Sequence, residues 1–246
     1  IDILVDNEDD AIVIAKKYLS YFQGNLGSWE GPKVENLRHV IPENRLEVYD
    51  IREVIENIAD IGSVLEIKAG FAKGMFTGFI RVKGKPLGLI ANNPLFLAGA
   101  IDSDGADKAS RFIKLCENYN IPILSLCDTP GMMVGPEIEE TGLVRHCCRL
   151  FLAGANVTVP MMTIVLRKAY GLGAQAMAGG SFMAPQFVVG WPTAEIGAMG
   201  LEGAVKLGYR KELEAESNEE KKEKLFKKLV DELYEKGRAI NAASLL

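Results

Sequence analysis

The chain has 246 residues, of which 48% are hydrophobic and 25% charged, with a formal net charge of −5. This is ordinary globular composition, so disorder is excluded over most of the length, and a chain this long can bury a full core without disulfide or metal staples. A pI near 5.3 argues against a nucleic-acid surface, which needs a basic face, and no run approaches the roughly 18 apolar residues of a membrane span.

The start, Ile1-Asp2-Ile3-Leu4-Val5-Asp6, is acidic where an export signal is basic. Cys116, Cys127, Cys147 and Cys148 form no C-x-x-C pair, so neither a disulfide framework nor a zinc site is suggested. A reducing cytoplasm is the expected compartment. Residues 9–21 carry a helical apolar face with Asp9 and Asp10 at the favourable end of the dipole. Residues 23–48 hold several Gly, Pro and Asn and little periodicity, which predicts a linker. One helix followed by a long linker suggests the tail of something larger, and a fragment is expected.

From Tyr49 the pattern tightens. Asp50 is placed to cap a helix running to about Asp60. A short strand is predicted over 64–69, and strands over 75–82 and 86–91 flank Lys83-Gly84-Lys85 as a hairpin. An amphipathic helix follows over 104–119, with Asp104 as its expected N-cap, then an apolar strand over 122–127. Further along come a helix over 137–155, a buried strand over 161–166 and a short helix over 171–178. Strands over 187–190 and 194–196 and a long charged helix over 214–239 complete the chain. Strands alternating with helices predict an α/β sheet with helices packed outside it. The run Glu219-Glu220-Lys221-Lys222-Glu223-Lys224 reads as a solvated helix face rather than a binding tail.

Side-chain catalysts are sparse. His39 lies in the linker, and His146 reads as a helix-surface residue before it reads as a base. There is no G-x-S-x-G, H-E-x-x-H or G-x-x-x-x-G-K-[ST]. Asp102, Asp104 and Asp107 invite a calcium loop, but a loop starting at Asp102 would place Ile113 at its twelfth position. Glu137, Glu139 and Glu140 suit the first turn of a helix better than acid/base work.

The informative features are two glycine-bearing turns after buried strands, Asp128-Thr129-Pro130-Gly131 and Lys168-Ala169-Tyr170-Gly171-Leu172-Gly173-Ala174-Gln175. Exposed N–H groups at such turns bind anionic or developing negative oxygen. The second also fits G-x-G-x-x-A, with Glu195 near the acidic position of a dinucleotide fold, although Trp191-Pro192 spoils the intervening strand. Tight strand–helix packing is a third reason for glycine there. An oxyanion site, nucleotide binding and packing all remain open on the residues alone.

Several segments together carry a resemblance: Asp50-Ile51-Arg52-Glu53-Val54-Ile55, Ala91-Asn92-Asn93-Pro94 with Leu97-Ala98-Gly99, and the helix over 104–112. To these are added Asp128-Thr129-Pro130-Gly131, Arg167-Lys168-Ala169-Tyr170-Gly171 and Trp191-Pro192-Thr193-Ala194-Glu195. In that order the chain resembles, over essentially its whole length, the carboxyltransferase β subunit of biotin-dependent acyl-CoA carboxylases of the propionyl-CoA or acetyl-CoA type. The resemblance implies an α/β, crotonase-like (ClpP/crotonase) fold with surrounding helices. Residues 1–48 would be the end of an N-terminal, acyl-CoA-holding half and its linker, and residues 49–246 the C-terminal, carboxybiotin-holding half.

The implied chemistry needs backbone oxyanion holes rather than a base. The hole for the biotin oxygen would use the amides of Leu172 and Gly173, with Ala174 in reserve because Leu172 replaces a glycine of the commonest pattern. Gln175, Tyr170, Gly171, Pro130 and Gly131 would line the substrate side, and Gln175 falls where relatives select acyl chain length. The resemblance implies biotin, as carboxybiotin on a carrier protein, and no metal. It also implies biotin carboxyl carrier protein, biotin carboxylase, an N-terminal half and acyl-CoA as partners, and a homo-oligomer. A decarboxylase of the same fold and a noncatalytic assembly half are the alternatives.

Overall fold

The computed structural model describes residues 1–243. Helix α1 (Glu8–Ser20) is capped by Asn7, whose side chain accepts the Asp10 N–H, and none of its residues is buried. It leans Ile14, Tyr18 and, just beyond its end, Phe22 on the main core, while Ile12, Val13 and Leu19 face outward. The linker holds a single 3-10 turn over Val34–Arg38, and is tied to the body where the Leu26 and Ile61 amides donate to the Gly84 and Glu30 carbonyls.

Asp50 caps α2 (Ile51–Glu56), accepting the Arg52 N–H as expected. The helix ends well before Asp60, because Asp60 serves another element. Its carboxylate accepts the amides of Lys83 and Gly84 at 2.9 and 2.7 Å, closing the hairpin turn.

The sheet runs β1 (Leu65–Glu66), β2 (Met75–Val82), β3 (Lys85–Asn92), β4 (Ile123–Thr129), β5 (Met161–Tyr170) and β6 (Phe187–Gly190), with β7 (Glu195–Gly197) also paired to β5. β1, β2 and β3 are antiparallel, and β3 through β6 parallel. The hairpin loop is only Lys83-Gly84, both at positive φ as a primed two-residue turn requires, so Lys85 joins the strand. β4 and β5 run past their predicted ends, and a register shift between Cys127 and Thr129 lets Thr129 pair Ala169.

Helix α3 (Ser103–Asn118) corrects one expectation: its N-cap is Asp102, whose Oδ1 accepts the Gly105 N–H at 2.7 Å, and Asp104 sits inside the first turn. The predicted helix over 137–155 is two helices, α4 (Pro136–Glu139) and α5 (Leu143–Ala155). They part at left-handed Gly142, beside Thr141, whose hydroxyl meets Ser103 and the Ile138 carbonyl. After α6 (Gly171–Met177), two helices that the sequence reading lacked, α7 (Leu201–Gly208) and α8 (Arg210–Ala215), precede α9 (Glu219–Gly237) and α10 (Ala239–Ala243). α9 therefore starts five residues later than expected, where Asn218 accepts the Lys221 N–H.

Alternation along the strands builds two cores, one on each face. Phe79 and Ile90 join Phe112, Leu150, Ala174 and Met177 under α3, α5 and α6, while Ile80, Leu89, Leu124 and Leu166 meet α2. Tyr170 joins a third cluster with Leu201, Val205, Leu229 and Val230.

Candidate functional site

Parallel strands β3, β4 and β5 end side by side, and ligands of open α/β sheets bind beyond such carboxyl ends. There the chain places Asn92-Asn93-Pro94, Thr129-Pro130-Gly131 and Tyr170-Gly171-Leu172-Gly173, so both glycine turns meet at one edge. Their contact is tight. A Cβ on Gly173 would stand 2.7 Å from both Cα and the carbonyl carbon of Gly131, closer than side-chain carbons approach. Gly131 is itself held: its N–H donates to Thr129 Oγ1 at 3.1 Å and its carbonyl accepts the Ile101 N–H at 3.1 Å.

Gly171 opens α6 at φ +55°, against the carbonyl oxygen of Ala198, which a Cβ would meet at 2.8 Å. The first three amides of a helix have no intrahelical acceptor, so the Leu172 and Gly173 N–H groups are free to face a ligand. Leu172 is 62% exposed, Gly173 and Tyr170 are buried, and Pro130 and Gln175 are half-buried. All the sequence-derived site residues therefore fall on these two adjoining turns and the first turn of α6.

Beneath the turns lies a buried ion pair that the sequence reading did not assign. Asp128 Oδ2 accepts the Tyr49 hydroxyl at 2.7 Å and lies 3.2 Å from Arg167 Nε, while its Oδ1 accepts the Lys168 N–H at 3.0 Å. The Asp128 N–H donates to Asn92 Oδ1, and Arg167 also donates to the Glu47 carbonyl at 2.7 Å and covers the Tyr49 ring. The ends of β3, β4 and β5 and the residue after the linker, Tyr49, thus converge on Asp128. Burial, and then Asp128, push the Tyr49 hydroxyl far above its usual range. Burial also lowers the Lys168 ammonium, against the pull of Asp128. The one sequence signal for this hub was charge flanking both turns.

The other candidates are structural. His146 Nδ1 lies 2.9 Å from Asp107, which Arg149 also binds, joining α3 to α5. Partial burial works against ionisation of Asp107, but hydrogen bonds from Arg149 and His146 leave its carboxyl below the ordinary range. The His39 amide closes the 3-10 turn on Asn36. Among the described residues no group of three or more His, Cys, Asp or Glu is arranged to hold a metal ion, and no helix is long and apolar enough to cross a membrane. Glu195 is 1% exposed behind Tyr170 and cannot reach a ribose, which removes the acidic partner that a dinucleotide reading needs.

The family model for the carboxyl transferase domain matches residues 1–245. The propionyl-CoA carboxylase beta chain of Saccharopolyspora erythraea is 39% identical over 85% of this chain and 41% of its own length. A structure of a single-chain, multi-domain long-chain acyl-CoA carboxylase is 50% identical with a TM-score of 0.93, covering 100% of this chain and 24% of that one. The transcarboxylase 12S subunit, solved as a hexamer with methylmalonyl-CoA, is 35% identical with a TM-score of 0.85, over 99% of this chain and 48% of that one. The fold is the crotonase-like fold of these carboxyltransferase domains. The chain spans less than half the length of the curated relatives it matches.

Proposed function

The chain belongs to the carboxyl transferase domain family, and from that premise we propose that it is the carboxybiotin-facing half of a biotin-dependent acyl-CoA carboxyltransferase. Such an enzyme moves CO₂ from carboxybiotin to the α-carbon of an acyl-CoA. The observation that carries the reading is the pair of free amides at Leu172 and Gly173, set beside Gly131 with no side chain between the turns. When bound, biotin on its carrier supplies the CO₂ and accepts the substrate's α proton.

The chain's own part is electrostatic. Main-chain donors fixed in place stabilise charge as it develops without reorganising at the moment of reaction. The donors are backbone groups, so Leu172 in place of glycine leaves them intact, and its side chain points to solvent. The residues present fit the cofactor: two N–H donors suit a urea oxygen, and the glycines at 171 and 173 let the turn pack against Ala198 and Gly131 without a side chain between them. Pro130, Gly131, Tyr170 and Gly171 form the surrounding wall, and Gln175 faces the substrate side.

In this reading residues 1–48 close the acyl-CoA half and residues 49–246 form the carboxybiotin half. The partners are that acyl-CoA half, biotin carboxyl carrier protein and biotin carboxylase, in a homo-oligomeric, cytoplasmic assembly. The 12S relative's hexamer supports the oligomer. The propionyl-CoA carboxylase relatives favour a short acyl chain. The 50%-identical long-chain acyl-CoA carboxylase favours a second reading, in which the acyl chain is long.

The test is carboxyl transfer from carboxybiotin carrier to acyl-CoAs of graded length. It is run with this chain joined to its acyl-CoA half, and with each half alone. Transfer is expected only from the joined halves, and the length that gives the highest kcat/KM decides between the two acyl readings. Robust transfer by this chain alone would overturn the half-site assignment, and no transfer by the joined halves would overturn the reaction.

A further inference from the structure

A buried carboxyl group directly behind the amide turn has no part in the function described above. Glu195 opens β7 at 1% exposure, and its carboxyl group interacts with the Tyr170 hydroxyl without forming a hydrogen bond of normal geometry. β7 runs parallel to the end of β5, with Glu195 opposite Lys168, Ile196 opposite Ala169 and Gly197 opposite Tyr170. Paired residues of parallel strands point to the same face and alternate residues share it. Glu195 therefore shares its face with Lys168 and Tyr170, just ahead of the turn.

The Tyr170 ring lies along β7, where a Cβ on Gly197 would stand 3.2 Å from its Cδ1. The Tyr170 hydroxyl is buried and, like Glu195, makes no hydrogen bond of normal geometry. The two groups are near enough to act on each other's charge, and Arg45 and Lys168 also face Glu195. Burial is the largest influence on the Glu195 carboxyl and pushes its pKa up, against Arg45, Tyr170 and Lys168.

β7 is also the wall behind the turn. Gly171 sits against the Ala198 carbonyl with no room for a methyl group, so a shift of β7 moves Gly171 and the two amides after it. From outside, β7 is held by the Ala239 N–H donating to the Ala194 carbonyl at 2.8 Å and by an antiparallel backbone pairing between Glu195 and Arg238. From inside, the side chain anchoring its first residue is Glu195. Burying a carboxyl group whose one polar neighbour, the Tyr170 hydroxyl, is poorly aligned is costly, and a poorly satisfied group calls for a reason of place.

We propose that Glu195 is a positioning residue for the amide turn, its carboxyl group wedged against Tyr170 so that β7 holds Gly171, Leu172 and Gly173 in place. The inference rests on the reading of that turn as the oxyanion site. The experiment compares Glu195→Gln, Glu195→Asp and Glu195→Ala in the complete enzyme. It measures amide hydrogen exchange over the hydrogen-bonded amides of β7 and α6, kcat, acyl-CoA KM and thermal midpoint.

Glutamine keeps the shape, and its exchange and kcat are expected to stay near wild type. Alanine empties the wedge. Exchange over β7 and α6 should quicken and kcat fall by up to about 10²-fold, the loss that a misplaced catalytic geometry brings, with acyl-CoA KM unchanged. Aspartate withdraws the carboxyl by one methylene and should fall between, which keeps the comparison decisive if the alanine variant does not fold. Wild-type exchange and kcat in a folded alanine or aspartate variant would overturn the proposal. So would a glutamine variant as impaired as alanine at equal thermal stability. Should the wild-type enzyme transfer no carboxyl group, the functional reading fails, while the exchange rates still decide whether Glu195 places the turn.

Discussion

Replacing Gly173 with alanine tests the contact on which the site is built. The new methyl carbon would stand 2.7 Å from Cα and from the carbonyl carbon of Gly131, and 3.1 Å from its carbonyl oxygen. Ordinary carbon contacts begin near 3.5 Å, so the two turns must separate by most of an ångström. Neither side yields easily. Gly131 is fastened through Thr129 and Ile101, and Gly173 is buried in α6. Overpacking of this kind costs about 1–3 kcal/mol, or about 2–4 °C in Tm per kcal/mol for a domain of this size.

The same movement displaces the Gly173 N–H, and, in the proposed reading of that amide as an oxyanion donor, losing it lowers turnover by about 10²–10³-fold. Calorimetry on the chain and carboxyl transfer by the complete enzyme measure the two effects separately. Gly173→Pro, which removes the N–H outright, should lose as much turnover or more. Leu172→Ala, on an exposed side chain, should change little in either assay. A folded Gly173→Ala protein with wild-type Tm and wild-type transfer would refute both the contact and the role of the turn.

Three further outcomes follow from the packing. Asp102→Ala should cost about 0.5–2 kcal/mol in urea unfolding as a lost N-cap, whereas Asp104→Ala should cost no more than a few tenths, as a lost first-turn charge. Arg167→Met leaves Asp128 buried without its cation, so about 3–5 kcal/mol should be lost. Tyr49→Phe, which removes one hydrogen bond to the same carboxylate, should lose about 1.5–3 kcal/mol. Burial lowers Lys108 from 10.5 to about 8. Between pH 8 and 10.5 the unfolded chain therefore binds more protons at this site, and the Lys108 contribution to stability should rise with pH across that window by about 3 kcal/mol, against the opposite contribution of the buried thiols Cys116, Cys127 and Cys147. Chemical denaturation of wild type against Lys108→Met isolates that rise, which the variant should lack.

The sequence revealed most where the cause is local. The Asp50 cap, the hairpin at Lys83-Gly84 and the turn after β5 are each written in a few adjacent residues, and the structure has all three. The expected cap of α3, Asp104, lies two residues past the true one, Asp102, because both precede the same apolar run. What decides the cap is which side chain reaches the Gly105 amide, a matter of backbone direction rather than residue type. Helices α7 and α8 went unseen because glycines at 197, 200, 203 and 208 break the periodicity that would have announced them. The predicted helix over 137–155 hid its break for the opposite reason, since one glycine among good helix formers carries little weight. Least legible was the hub at Asp128. Tyr49, Asp128 and Arg167 are scattered through the chain, and no pattern in sequence brings them together.

That hub bears on why a site so poor in side-chain catalysts can still be exact in its geometry. A buried ion pair is weak evidence for stability, because desolvation offsets much of its attraction. Asp128, however, spends three of its four interactions on groups that fix strand ends: the Lys168 amide, the Asn92 side chain through its own N–H, and Arg167. Main-chain donors cannot be retuned by rotating a side chain, so their placement must come from the strands that carry them. Asp128 joins the ends of β3, β4 and β5 from below, Gly131 and Gly173 press the two turns together, and β7 closes the back. On this account, the charges buried around the turn serve to place its two amides, and substitutions there should reach turnover through the position of Leu172 and Gly173 rather than through any contact with the substrate.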